Sequence, residues 1–362
     1  MTAAYLAGQP LSPDDGQAAV YGGAILGGGG GGSIEAGLEM VRAAFAAGRP
    51  RLVSPADIAP DDQVVTVGLV GSPASLGARV VPADYVRAAR LLEADLARDG
   101  LPAAKGFIAN ENGAVASVNG WLQAAATGLP VVDAPCDGRA HPTALMGALG
   151  LHLEPSYRSR QAAAGGDRST GLYVELTVQG SLDRASAAVR QAAVQAGGLV
   201  AVARNPVPVS RAITHGSPGA ISQAIEVGRA FLGQGPSGVA ALFAAPVVLT
   251  GRVRGLELRT EGGFDIGSLS IDGEAGATWR IDFWNEYALL EDTAGRRLFT
   301  FPDLIVVFDL STGRPMTSGD IRSGQDALIM GVHREEIRVG AAVLDPLLLR
   351  AMEQALGKAI RG

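Results

Sequence analysis

The alternation of apolar and polar residues divides the chain into two parts. Up to about residue 240, β-branched runs alternate with stretches of helical periodicity, which predicts a layered α/β domain with a mainly parallel sheet. From 241 to 335, short alternating runs separated by Gly-containing turns predict a small antiparallel β-barrel or sandwich domain. A final helical segment, 341–362, is expected to return to the domain formed by residues 1–240.

The periodicity predicts individual elements as well. The first predicted helix begins at Ser12 and ends at the glycines. The other predicted helices of the first part span 34–47, 83–98, 118–127, 182–195 and 217–232. Its predicted strands are 63–70, 106–109, 128–133, 172–178 and 199–203. The predicted strands of the second part are 247–253, 256–260, 268–271, 279–283, 304–308 and 327–330, followed by the helix 344–360. Ser12 is expected to cap the first helix, with Pro13 at its first position and Asp15 at its third.

Composition narrows the classes of protein. A net charge of −6 argues against a surface that tracks nucleic acid phosphates. The longest apolar stretch, 239–249, is too short to span a bilayer, and no basic residue precedes Arg42, so a secretory signal is not expected. The single cysteine, Cys136, fits a reducing compartment. We therefore expect a cytoplasmic protein with a small-molecule substrate, no nucleic acid or membrane partner, and a homo-oligomeric state.

Six consecutive glycines, 27–32, separate the first two predicted helices. Glycine-rich loops before helices can hold phosphate groups. A Walker A loop would need a lysine here, and a dinucleotide fingerprint would follow a strand rather than a helix. Two interpretations stay open: the backbone N–H groups of Gly29, Gly30 and Gly31 bind a carboxylate or another anion, or the loop needs glycine for close backbone approach.

A second group of polar residues begins at Asp133, at the end of a predicted strand, where ligands collect in parallel sheets. Cys136 and His141 lie five residues apart, and both are common zinc ligands. The alternative is a buried free cysteine beside a surface histidine, since free cysteine is among the most often buried residues. Asp137 and Arg139 on the same loop favour a functional site.

Two other histidines are candidates for the same site. His333 ends the last predicted strand, and His215 precedes a predicted helix. A Cys/His/His set with one open position is typical of a catalytic zinc site. We therefore predict a divalent metal ion, expected to be zinc, held by Cys136, His141 and His333, with His215 as a substrate contact or a further ligand.

The turn Asn110-Glu111-Asn112-Gly113 follows another predicted strand. Glu111 is a candidate general base or ligand-orienting carboxylate. Asn110 and Asn112 are candidate substrate contacts. The same four residues are also typical of an ordinary polar turn.

Several separate segments make the sequence resemble the S-methyl-thiohydantoin desulfurase-like family, whose members often accompany hydantoin-metabolising enzymes. The resemblance covers nearly the whole chain. It rests on the glycine-rich segment 22–31, Glu111 with Gly113, Gly128-Leu129-Pro130-Val131-Val132-Asp133, Gly138-Arg139-Ala140 with Pro142, Asn285-Glu286, and Pro302-Asp303-Leu304-Ile305 with Asp309. It implies a layered α/β domain joined to a small β-barrel domain. Cys136, His141 and His333 depart together from the usual pattern of the family, which indicates a metal-binding branch.

The resemblance and the candidate residues together predict hydrolytic desulfurisation of a thiohydantoin-type cyclic thioamide. A carboxyalkyl 2-thiohydantoin from catabolism of a thiolated histidine would lose hydrogen sulfide. A metal ion would activate water and stabilise charge on sulfur. Asp133, Asp137 or Glu111 would transfer protons, and Arg139 with the glycine-loop amides would hold the substrate carboxylate.

Three alternatives stay open. Cys136 is a candidate nucleophile activated by His141, in place of a metal ligand. The chain is also a candidate for a non-catalytic subunit or binding component of a hydantoinase-type complex. The third alternative is a cyclic amide hydrolase that opens a hydantoin ring.

Overall fold

The computed structural model describes residue 8 and residues 10–71, 75, 77–243, 247–261 and 264–360. The last two residues of the predicted segment 341–362, part of the predicted domain 1–240 and part of the apolar stretch 239–249 lie outside this range. The helices are α1 (Pro13–Leu26), α2 (Ile34–Ala47), α3 (Pro82–Arg98), α4 (Trp121–Thr127), α5 (Leu182–Gln195), α6 (Val209–His215), α7 (Ala220–Ala240) and α8 (Pro346–Leu356).

The strands form two sheets. Those of the first sheet are β1 (Leu52–Val53), β2 (Gln63–Gly71), β3 (Ala104–Ala109), β4 (Val131–Val132), β5 (Ser159–Gly165), β6 (Val174–Gly180) and β7 (Leu199–Pro208). Those of the second are β8 (Val247–Glu261), β9 (Phe264–Gly273), β10 (Thr278–Trp284), β11 (Glu286–Asp292), β12 (Arg297–Thr300), β13 (Leu304–Asp309), β14 (Pro315–Met316) and β15 (Asp326–Val332).

The first sheet is mixed, with the strand order β1-β4-β3-β2-β7-β5-β6. The four neighbouring strands β1, β4, β3 and β2 are parallel to one another, as predicted. Strands β7, β5 and β6 extend the sheet through antiparallel pairs. Successive residues of β2 point to opposite faces, so that Val65 and Val67 join one core and Val64 another. Helices therefore cover both faces, and the predicted α/β class is confirmed.

The second sheet is antiparallel throughout and open, with the order β12-β11-β10-β9-β8-β15-β13-β14. Pairing between the described strands does not close it, so the predicted barrel is not confirmed. The predicted strands 247–253 and 256–260 are one strand, because a bulge between Val253 and Gly255 interrupts the alternation without ending β8.

Glycine contacts hold α1 against α7. A Cβ atom at Gly22 would lie 1.7 Å from the carbonyl oxygen of Ala224, and one at Gly228 would lie 1.8 Å from that of Ala18. The two helices can approach this closely only without side chains at these positions. Ile25, Phe231 and other apolar residues of this pair form a core with β13 and β15, which joins the second sheet to the first part.

The first and last helices are fixed by different contacts. The hydroxyl of Ser12 accepts a hydrogen bond from the Asp15 amide at 3.1 Å, and the predicted capping box is present. Helix α8 packs on β9 and β10, where Leu348 and Met352 join a core with Trp284 that also contains Met146 of the first part. No helix within the described ranges is both long and apolar enough to cross a bilayer.

Candidate functional site

The glycine run forms a loop between α1 and α2 that contacts the second sheet, with residues 27–29 buried and residues 30–32 half-buried. Gly28, Gly29 and Gly31 have φ angles of +57°, +97° and +80°. The Gly28 carbonyl accepts a hydrogen bond from the Tyr287 amide at 2.7 Å. A Cβ atom at Gly31 would lie 2.3 Å from the Cα atom of Gly113. These contacts favour the interpretation that the run permits close backbone approach.

Glu286 lies directly beside this loop. It is the first residue of β11 and follows Asn285, whose φ of +56° turns the chain into the strand. A Cβ atom at Gly30 would lie 2.0 Å from Glu286 Oε1. Glu286 Oε2 is buried and has no hydrogen-bond partner among the described residues. Close approach of the glycine backbone therefore brings a carboxyl group of the second sheet against the first part of the chain.

Asp137 supplies a second buried carboxyl group. Its Oδ1 accepts hydrogen bonds from the amides of Gly138 at 2.7 Å and Gly340 at 2.9 Å. Its Oδ2 is buried and lacks a partner within the described part of the chain. One oxygen is thus fixed by the backbone, and the other remains available.

Arg139 connects the two parts of the molecule. Its guanidinium donates to the carbonyl oxygens of Asp303 and Tyr287, the latter at 3.2 Å, and lies 4.4 Å from the ring centre of Phe301. The side chain is fully buried, and the segment that carries it is therefore held against β11 and the start of β13. Arg139 was expected to hold a substrate carboxylate, but both of its outer guanidinium nitrogens donate to backbone carbonyl oxygens.

Glu111 and His141 form the part of the site that is nearest to solvent. Glu111 Oε2 lies 3.3 Å from His141 Nε2 and accepts a hydrogen bond from the His141 amide at 3.2 Å. The Glu111 side chain is 12% exposed and that of His141 3%. His141 Nδ1 is buried without a hydrogen-bond partner among the residues that the structure describes. Two residues predicted from separate loops are thus in contact.

Burial dominates the electrostatics of these groups. It raises the pKa of Asp137 to about 7 and that of Glu286 to about 8, and lowers the pKa of His141 to about 4. Burial also raises the pKa of Glu111 well above its usual range, and repulsion from Glu286 and Asp137 raises it further. We call Glu111, Asp137 and Glu286 the acid cluster. Its members keep their protons to a higher pH than ordinary carboxyl groups do, and the His141 ring is neutral at neutral pH.

Cys136 lies outside this set of contacts. Its side chain is buried among apolar residues of the first part, and its Sγ is 3.4 Å from Thr66 Oγ1. Burial raises the pKa of the thiol to about 11, which disfavours the thiolate that a nucleophile or a metal ligand requires. Cys136 thus fits the alternative of a buried free cysteine. His141, which that alternative placed at the surface, is buried.

The structure does not bring His333 to the predicted Cys/His/His set. Among the described residues, the three potential metal-ligating residues whose ligand atoms all lie within 4.8 Å of one another are Asp303, His333 and Glu335. The His333 ring contacts Phe299, with ring centres 4.9 Å apart, and its side chain is 59% exposed. It follows the end of β15 on the surface, whereas Cys136 and His141 are buried, so these three residues do not form one group of neighbouring ligand atoms.

The remaining predicted site residues make structural contacts. Asp133 accepts hydrogen bonds from the Ile221 amide at 2.8 Å and from the Ser222 hydroxyl at 2.5 Å, at the first turn of α7. Asn112 donates to the carbonyl oxygens of Gly138 at 3.2 Å and Ala220 at 2.9 Å.

Asn110 and His215 likewise have partners. Asn110 Oδ1 accepts from Asn119 at 2.9 Å, and the Asn110 carbonyl lies 3.4 Å from His141 Nε2. His215 is half-buried at the end of α6, with Nδ1 2.8 Å from the Thr214 hydroxyl. Asn110 therefore contacts the candidate site through its backbone, while His215 has its own local partner.

Sequence reasoning missed two charged residues of this region, Glu286 and Arg204. Glu286 appears in the sequence only as part of a family-like motif, and Arg204 directly follows the predicted strand 199–203. The signal available for Glu286 was the Asn-Glu pair at a strand start, since Asn tolerates a left-handed conformation. For Arg204 the signal was an arginine inside an apolar strand.

Comparisons with known proteins agree with this architecture. The model described as S-Me-THD-like, N-terminal domain, matches residues 14–168, and the model described as S-Me-THD-like, C-terminal domain, matches residues 181–342. A crystal structure of a protein from Chromobacterium violaceum is similar over 96% of both chains, with 23% identity and a TM-score of 0.72, which shows a shared fold. No curated protein matches the sequence.

Proposed function

This chain belongs to the S-Me-THD-like family, and from that premise we propose that it removes sulfur from a thiohydantoin-type cyclic thioamide by hydrolysis. The observation that carries the proposal is the position of Glu111. Its carboxyl group is the partly exposed end of a buried acid cluster, and its pKa is raised by burial and by the other two acids. A carboxyl group whose pKa is raised in this way accepts and holds a proton more readily than an ordinary one, which suits it to transfer protons between water and sulfur.

The reaction exchanges the sulfur of a C=S group for the oxygen of water. Ionised Glu111 takes one proton from water as the water oxygen bonds to the C=S carbon, and returns it to sulfur. Glu111 then takes the proton of the new hydroxyl as the C–S bond breaks and the C=O bond forms. That proton joins the departing hydrosulfide, so both protons of water leave on hydrogen sulfide and Glu111 is regenerated.

The neighbouring residues adjust Glu111 for this role. Asp137 and Glu286 raise its pKa by repulsion, while the amide of His141 donates to its Oε2 and holds its orientation. The neutral His141 ring lies against the same oxygen. We propose that Glu111 alone contacts the reacting atoms, and that Asp137 and Glu286 are positioning residues.

The divalent metal ion expected from the sequence stays a prediction. The three predicted ligands are not together, and the group formed by Asp303, His333 and Glu335 is separate from the reaction proposed at Glu111. The predicted metal site and the proposed role of Glu111 therefore lead to different expectations for the same variants. The metal content of each variant is measured together with its activity.

The test is the release of sulfide from a carboxyalkyl 2-thiohydantoin by the purified chain alone. Wild type is expected to release sulfide with loss of the thiocarbonyl absorbance, and Glu111→Gln to lose about 100- to 10,000-fold in kcat/KM. Glu226→Gln, at an exposed position of α7, is the matched control. A Glu111→Gln variant as active as wild type would refute this role for the carboxyl group.

The same assay separates the two alternative functions. A ring-opening hydrolase would give a linear carbamoyl product without sulfide from the corresponding hydantoin. A non-catalytic subunit would release no sulfide alone but would restore or alter activity when a hydantoinase is added.

A further inference from the structure

Arg204 is a buried cation that no carboxylate of the described residues contacts directly. It lies in the middle of β7 and is only about 5% exposed. Its guanidinium has no hydrogen bond or ion pair with any other described residue, and Nε is fully buried without a partner. Proteins rarely bury an unpaired charge, since doing so costs several kcal/mol.

The neighbours of Arg204 on the sheet do not satisfy it. Thr66 on β2 and Gln161 on β5 are directly opposite Arg204 on the two adjoining strands, so the three side chains share one face. The Thr66 hydroxyl is paired with Cys136 at 3.4 Å. Gln161 uses its amide nitrogen on Ser159 and Ser186, and its Oε1 has no partner among the described residues. In this row of buried polar side chains, Nε of Arg204 and Oε1 of Gln161 thus have no hydrogen-bond partner among the described residues.

Arg204 is also close to Glu111, one member of the acid cluster. Its charge acts on the carboxyl group of Glu111 and the ring of His141. A ligand anion at Arg204 would therefore lie next to Glu111, on the same side of the first sheet as Thr66 and Cys136. Arg139, the arginine expected to take this role, already donates to two backbone carbonyls.

We infer that Arg204 binds the carboxylate of a monoanionic substrate, which fixes the ring of that substrate beside Glu111. This inference rests on the proposed function. A permanent guanidinium charge needs a partner that is ionised before the reaction, which a transient thiolate is not. The planar fork of arginine matches a carboxylate, and a dianion such as phosphate would bring a second negative charge next to Glu111.

The test compares two ligands that differ in one charge: 5-(2-carboxyethyl)hydantoin, which is the expected product, and its primary amide. Calorimetry on wild type is expected to show that the acid binds at least about 30-fold more tightly than the amide. Arg204→Met should bind both ligands equally, and Arg204→Lys should keep only part of the preference. Arg190→Met removes a nearby exposed arginine of α5 and should behave as wild type within about threefold.

Several results would overturn the inference. They are equal binding of acid and amide by wild type, a retained preference in Arg204→Met, or displacement of the acid by an equal concentration of inorganic phosphate. The wild-type comparison remains decisive if Arg204→Met fails to fold, although loss of an unpaired buried charge should leave its melting temperature no lower. Preference for the acid without sulfide release would contradict the proposed function and leave the inference standing.

Discussion

Replacing Glu286 by glutamine is expected to flatten the dependence of stability on pH. Burial raises the pKa of this carboxyl group from 4.5 to about 8. Between these two values the folded chain holds a proton that the unfolded chain has released. A group of this kind contributes stability that is fully present below pH 4.5 and is lost as pH rises through about 8.

The magnitude follows from the size of the shift. The free energy of unfolding should fall by about 1.4 kcal/mol per pH unit through this one group, and by about 5 kcal/mol across the whole window. Glutamine has nearly the same shape and stays neutral. The variant should therefore be more stable than wild type at pH 8, with little difference near pH 5.

Urea unfolding followed by tryptophan fluorescence at pH 5, 6, 7 and 8 measures this difference. The slope for Glu286→Gln should be smaller than the wild-type slope by about 1.4 kcal/mol per pH unit. Glu226→Gln, exposed on α7, should run parallel to wild type. Parallel lines for Glu286→Gln and wild type would show that Glu286 is ionised in the folded protein, and the account of the acid cluster would be wrong.

Two other predictions concern the glycine loop and the metal ion. Gly31→Ala should destabilise the fold by about 3 kcal/mol in thermal unfolding, because its Cβ would lie 2.3 Å from Gly113 Cα and its φ is +80°. Gly233→Ala should stabilise the fold by about 1 kcal/mol, because this position lies inside α7 and a Cβ there would have no atom within 4 Å. Any divalent ion carried by the purified chain should be lost in His333→Ala and kept in Cys136→Ser by elemental analysis. Loss in both variants would instead restore the predicted Cys/His/His set.

The sequence predicted an element well where all of the signals for that element lie within its own segment. The periodicity of 34–47 gave the bounds of α2 correctly, because its apolar face and its Ser33 cap are both within the segment. Strand β5 was missed because Ala162 to Ala164 offer no β-branched side chain, although the neighbouring strands make them buried. The pattern also could not show that β7 runs antiparallel to β2, since that direction depends on a pairing between distant segments.

The candidate site divides in the same way. Asp137, Glu111 and His141 each follow a predicted strand of the first sheet, and the rule that ligands collect at strand ends pointed to the two loops that bring Glu111 and His141 into contact. Glu286 and His333 come from the second sheet, whose placement on α1 and α7 depends on packing. Chemical type alone suggested that His333 belongs with Cys136, but its position at the end of β15 puts it beside Asp303 instead.

The glycine run explains why the acid cluster needs both sheets. A carboxyl group has a raised pKa only where water and compensating charges are kept away, which requires a surface packed against it. Gly30 gives Glu286 such a surface, because any side chain there would occupy the position of Oε1. The Gly28 and Gly29 carbonyls accept hydrogen bonds from the Tyr287 and Ser318 amides, so the same loop holds the second sheet in place. The contacts of the six glycines therefore favour close backbone approach, which buries the Glu286 carboxyl group, over binding of a carboxylate or another anion by the loop.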